Sequence, residues 1–86
     1  MKTFDYIITD EVGIHARPAT LLAKKAKEMS ATITLVNKDG KSAEAKKLMA
    51  VMGLGIKKGE TVTVNVEGEN EDAVAAEMET FFKENL

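Results

Sequence analysis

The sequence predicts an α+β fold, a two-layer sandwich with the element order β-α-β-β-α-β-α. Three observations lead there. Residues 3–9, 31–37 and 61–67 alternate apolar with polar side chains, the pattern of strands with one wet face. The segments between them place apolar residues at helical spacing. The whole chain is 86 residues with 44% apolar content, enough for one domain (1–86) around one core.

In chain order, Phe4, Tyr6 and Ile8 lie on one side of the first strand. Asp10, Glu11 and Gly13 break it and form a loop. A helix follows over about 16–28, with Ala19, Leu22, Ala23 and Ala26 facing the core. Arg17, Thr20, Leu21 and Lys24 form a second stripe on it. In the next strand Ile33 and Leu35 point inward. Asn37-Lys38-Asp39-Gly40 is a hairpin turn, because Asp-Gly supplies the positive φ such turns need. Residues 41–43 return as a short edge strand. Residues 46–52 read as a short helix ended by Gly53 and Gly55, held by tertiary packing because isolated helices of that length do not persist. Val51 and Leu54 anchor it. Leu48, Met49 and Met52 cannot all be buried by so small a helix, so an exposed, adaptable patch is expected. In the strand 61–67, Val62, Val64 and Val66 turn inward. Asn70 is placed to cap a last helix, Glu71 and Asp72 suit its positive end, and Val74, Met78 and Phe81 make its core stripe.

Composition narrows the function. Net charge is −2 and aromatics are 5%, which argues against a nucleic-acid binder. There is no Cys, so no disulfide or Cys–zinc site, which fits a reducing cytoplasm. No apolar run approaches the roughly 20 residues of a membrane span, and no signal peptide is visible. The charge is unevenly spread. Residues 1–60 carry 11 basic and 7 acidic side chains, and residues 61–86 carry 1 and 7. That spread suits either ordinary solvated faces or a basic docking face around His15 that meets acidic partners.

One stretch holds the chemistry. Gly13-Ile14-His15-Ala16-Arg17-Pro18 contains the only His and the only Pro. Pro18 suits a first helical turn, where its missing N–H costs nothing. His15 therefore falls at a loop-to-helix junction, about where an N-cap would be. Unpaired N–H groups and the helix dipole make such an end an anion site. Arg17 adds a fixed cation able to grip phosphate oxygens bidentately. The same field disfavours imidazolium, leaving a nucleophilic ring. A lone His without context is more often structural than catalytic; the loop-to-helix junction and the adjacent Arg17 weigh toward chemistry here.

Gly13-Ile14-His15-Ala16-Arg17-Pro18-Ala19 resembles the active-site signature of the HPr family, the histidine phosphocarriers of the bacterial sugar phosphotransferase system. Lys46 through Ile56 resembles the family's second segment, and the likeness spans nearly the whole chain. The resemblance implies an open-faced sandwich, a four-stranded antiparallel sheet covered on one face by three helices. It implies that His15 accepts a phosphoryl group at Nδ1 from phosphorylated Enzyme I and passes it to EIIA proteins. Arg17 balances charge, and the N–H groups of Ala16 and Arg17 hold the phosphate. Thr20, Leu21, Lys24, Leu48, Met49 and Met52 are the expected docking residues. No metal, no cofactor, no membrane insertion and a monomeric carrier in the cytoplasm are expected, without small-molecule turnover of its own. An alternative within the resemblance is a regulatory or nitrogen-related phosphorelay protein. Many members carry a regulatory serine after the first Lys of the second segment. Here that position is Lys47, which cannot accept the phosphate, so that regulation is expected to be absent. Genes adjacent to this one would separate the sugar branch from the alternative.

Overall fold

The alternation in the sequence becomes strand pairing in the computed structural model, which describes residues 1–86. Strands β1 (Lys2–Ile7), β2 (Thr32–Val36), β3 (Ser42–Glu44) and β4 (Thr61–Glu67) form one antiparallel sheet in the order β1-β4-β2-β3. Helices α1 (Ala16–Glu28), α2 (Leu48–Gly53) and α3 (Glu71–Asn85) cover it, giving the expected open-faced sandwich. The register shows why alternation suffices. Phe4, Val64, Leu35 and Ala43 stand in one row across all four strands and turn toward the helices. The adjacent row, Thr3, Asn65, Thr34 and Glu44, turns the other way. That open face is knit by polar contacts: Thr3 Oγ1 donates to Asn65 Oδ1 at 2.9 Å and Thr63 Oγ1 to Asp5 Oδ1 at 2.7 Å.

The core is purely apolar, with no buried polar or charged residue. Ala19, Leu22, Ala23 and Ala26 of α1 are buried as expected, together with Pro18. On α3 the buried stripe is Val74, Met78, Phe81 and also Phe82, one residue wider than the sequence suggested. Phe82 is the largest fully buried side chain and meets Phe4, Tyr6 and Phe81 edge-on at 5.6–6.1 Å. An apolar helical face runs i, i+4, i+7, i+8, so Phe82 completes it and its burial contributes roughly 1.5–3 kcal/mol.

Several local expectations are corrected. β1 stops at Ile7; Ile8 is buried but bonds to the segment before β4, donating to Glu60 O at 3.1 Å and accepting from Gly59 N at 2.8 Å. α2 begins at Leu48, not Lys46, because Lys47 is still extended (φ −102°, ψ 96°) and serves as N-cap. Gly53 is helical; the turn that ends α2 is made at Gly55, whose φ is 63°. Asn70 does precede α3, but in the left-handed region (φ 58°) with no side-chain cap bond. Glu71 instead turns back to the loop before the helix and accepts the Gly68 N–H at 3.3 Å. The hairpin turn is as read: Gly40 has φ 84°, and Asn37 Oδ1 accepts from Asp39 N and Lys41 N at 3.0 and 2.9 Å.

Candidate functional site

The loop between β1 and α1 has little secondary structure of its own, so its shape comes from bonds to distant segments. Thr9 and Asp10 donate their N–H groups to the Leu86 main-chain oxygen, and Ile14 N donates to Ile56 O at 2.9 Å. Within the loop, Gly13 N donates to Asp10 O at 3.0 Å and Val12 N to Asp10 Oδ2 at 3.1 Å. Gly13 is required twice over. Its φ is 78°, and a Cβ there would sit 2.4 Å from Ile56 O and 2.7 Å from Lys57 Cα. The loop is thus laid against the backbone after α2, and Ile14 is buried in the core.

His15 emerges from this frame as the N-cap residue of α1, in extended conformation (φ −108°, ψ −171°). Its side chain makes no capping bond, so the ring is free for other work, and it is 37% exposed. Nε2 lies 3.6 Å from Asp10 Oδ2. Ala19 N donates to His15 O at 2.9 Å, which closes the first turn. Ala16 N and Arg17 N precede any possible intrahelical acceptor and point out of the helix end. No acidic side chain occupies that first turn to compete for them. Arg17 is exposed and forms no ion pair. Asp10, His15, Arg17, Pro18, Leu21 and Asn85 line a shallow open depression. A more enclosed groove lies at the far end of α1, between Lys27, Ser30, Glu44 and Lys46, away from His15. The His15 depression fits a group delivered and removed by another protein, since an open site admits a macromolecule.

The remaining expected residues divide. Thr20, Leu21 and Lys24 are exposed on α1, with Leu21 45% accessible. Thr20 Oγ1 is engaged by the Ala16 carbonyl at 2.7 Å. On α2, Met49 is 77% and Met52 36% exposed, as the surplus of apolar side chains on a short helix required. Leu48 differs: it is half-buried against the core, because it opens α2 on the side that packs inward. Lys47 pairs with Glu44 at 3.3 Å. Sequence reasoning missed the partnership of Asp10 with His15. Asp10 was legible only as a strand breaker, and no spacing rule reports which way a loop carboxylate turns.

The family model for the PTS HPr component phosphorylation site matches residues 2–84. This chain belongs to the HPr family. It is 43% identical over 72 residues to the phosphocarrier protein HPr of Mycoplasma capricolum subsp. capricolum, covering 84% of this chain and 80% of that protein. An HPr from Thermoanaerobacter tengcongensis superposes with a TM-score of 0.90 at 32% identity, over 99% of this chain and 94% of that one. The HPr of Bacillus anthracis str. Ames gives 0.86 at 27% identity, over 94% and 95%. As an HPr-family member the chain is a histidine-phosphorylated phosphocarrier of the phosphotransferase system, and its partners are proteins of that system. No helix is long and apolar enough to cross a membrane.

Proposed function

We propose that His15 is the phosphoacceptor, taking a phosphoryl group at Nδ1 from phosphorylated Enzyme I and handing it to EIIA proteins for coupled sugar uptake. The observation that carries this is the position of the only imidazole: half-exposed, at the start of α1, beside an unpaired Arg17 and two N–H groups without helical acceptors. Phosphoryl transfer asks mainly for positioning and charge balance. The loop frame supplies the first. Arg17 and the Ala16 and Arg17 N–H groups supply the second, stabilising the three equatorial oxygens as they pass between proteins.

Thr20, Leu21, Lys24, Met49 and Met52 form the docking surface in this reading, with Leu48 as its half-buried base. A small apolar patch ringed by cations binds acidic partners fast and releases them fast, which a shuttle needs. One domain working in the cytoplasm is consistent with this role. Lys47, already paired with Glu44, leaves no hydroxyl for regulatory phosphorylation at that position.

The test is direct. Incubation with Enzyme I and phosphoenolpyruvate should add one acid-labile phosphate per chain, and His15→Ala should accept none. Equal labelling of the Ala variant would place the acceptor elsewhere.

A further inference from the structure

We propose that Asp10 is a positioning residue for the transfer, selecting the tautomer of His15 that leaves Nδ1 as the nucleophile. The inference rests on the reading of His15 as phosphoacceptor. A neutral imidazole has one N–H and one lone pair, and the partner facing one nitrogen decides where the proton sits. Asp10 Oδ2 faces Nε2 at 3.6 Å, an ion-contact distance longer than a hydrogen bond. A carboxylate there electrostatically favours the proton on Nε2. The lone pair is then on Nδ1.

The carboxylate is itself held in place. Asp10 N donates to the Leu86 main-chain oxygen at 2.8 Å, its carbonyl accepts from Gly13 N at 3.0 Å, and Oδ2 accepts from Val12 N at 3.1 Å. Val12 and Gly13 of the loop, with Leu86 at the end of α3, therefore brace one acceptor beside the ring. Asp10 and Arg17 line the same depression but are not ion-paired, so the carboxylate faces the ring and the guanidinium stays available to the incoming anion.

The balance of the step is simple. The Nδ1 lone pair forms the N–P bond as the bond between phosphorus and the donor group breaks, and that electron pair leaves with the donor. The Nε2 proton stays, so the ring becomes a phosphoimidazolium, whose positive charge the Asp10 carboxylate offsets. In onward transfer the N–P electron pair returns to Nδ1 and the ring leaves neutral with Nε2–H intact. A ring that departs neutral is a better leaving group than an imidazolate, so keeping the proton on Nε2 serves the onward step.

Asp10→Asn tests this, because it removes the charge while keeping an oxygen for the Val12 N–H. The imidazole nitrogen shifts of 15N-labelled, unphosphorylated protein report the tautomer directly. Phosphoramidate, a small P–N donor, reports the rate of phosphorylation without any partner protein. The wild type should hold mainly the Nε2–H form. In the variant the Nδ1–H share should rise and the rate fall about two- to fivefold, the range for a partly exposed charge contact, with an unchanged melting temperature. A wild type that is mainly Nδ1–H overturns the proposal whether or not the variant folds. So does a variant whose rate falls while its tautomer shares stay those of the wild type, since that marks a merely structural loop residue. Labelling of His15→Ala at the wild-type rate would instead defeat the phosphoacceptor reading, and the proposal with it.

Discussion

The loop over 8–15 and the surface of α2 sit on either side of the same function and are built in opposite ways. The loop has almost no regular structure, yet nearly every turn of it is fixed, from outside by Ile56, Glu60 and Leu86 and from within by the carboxylate of Asp10. α2 is regular, six residues long, and leaves Met49 almost bare. Chemistry demands an imidazole held in one place, so the loop is over-determined. In the proposed reading docking asks for a surface that adapts, and α2 presents the exposed, flexible thioether of Met49. Irregular structure is here the rigid part, and the helix carries the adaptable one.

The largest expected break in that contrast is Gly13→Ala. The new Cβ would meet Ile56 O and Lys57 Cα on a backbone at φ 78°. Destabilisation of about 3 kcal/mol or more is expected, read by denaturant melts, because neither contact can move aside like a flexible side chain. A loss below about 0.5 kcal/mol, the range of neutral surface changes, would show the loop to be looser than described. Met49→Glu works on the other side. It should alter stability by no more than about 0.5 kcal/mol while weakening Enzyme I binding roughly tenfold, since a charge replaces an apolar contact facing an acidic partner. A lowered melting temperature with unaltered affinity would return Met49 to a packing role.

The smallest effect tests the link between the two regions. Glu60 holds Lys38 at 2.8 Å and accepts the Lys57 N–H at 2.9 Å, tying the β2–β3 turn to the segment that the loop leans on. Its carboxyl is held below the usual carboxylate range, first by the Lys38 hydrogen bond and then by Lys57, while the Lys38 ammonium is raised by the same contact. A depressed carboxyl stabilises the fold above its unfolded pKa, near 4.5, and loses that contribution as pH falls through the lower folded value. Lys38 is exposed and solvent screens the pair, so the effect is small. Glu60→Gln should lower the melting temperature slightly at pH 7, and the gap from wild type should close as pH drops below 4.5. A gap that persists at low pH would mean the carboxylate charge is not what matters.

The sequence by itself determined the strand segments to within a residue or two, the α1 boundaries and the candidate reactive residue. Those follow from short-range rules: alternation of period two, a Pro in a first turn, a lone His before unpaired amides. It also required that some of Leu48, Met49 and Met52 remain outside. Tertiary structure alone decided which: Leu48 leans on the core and the two Met side chains do not. It also decided that α2 starts at Leu48, that Glu71 and not Asn70 accepts an N–H ahead of α3, that Phe82 fills the centre of the core, and that Asp10 turns its carboxylate to His15. Each of these depends on partners far away in the chain, Leu86 and Ile56 among them. Periodicity fixes which face of an element is apolar, but only the packed chain fixes what a loop residue meets.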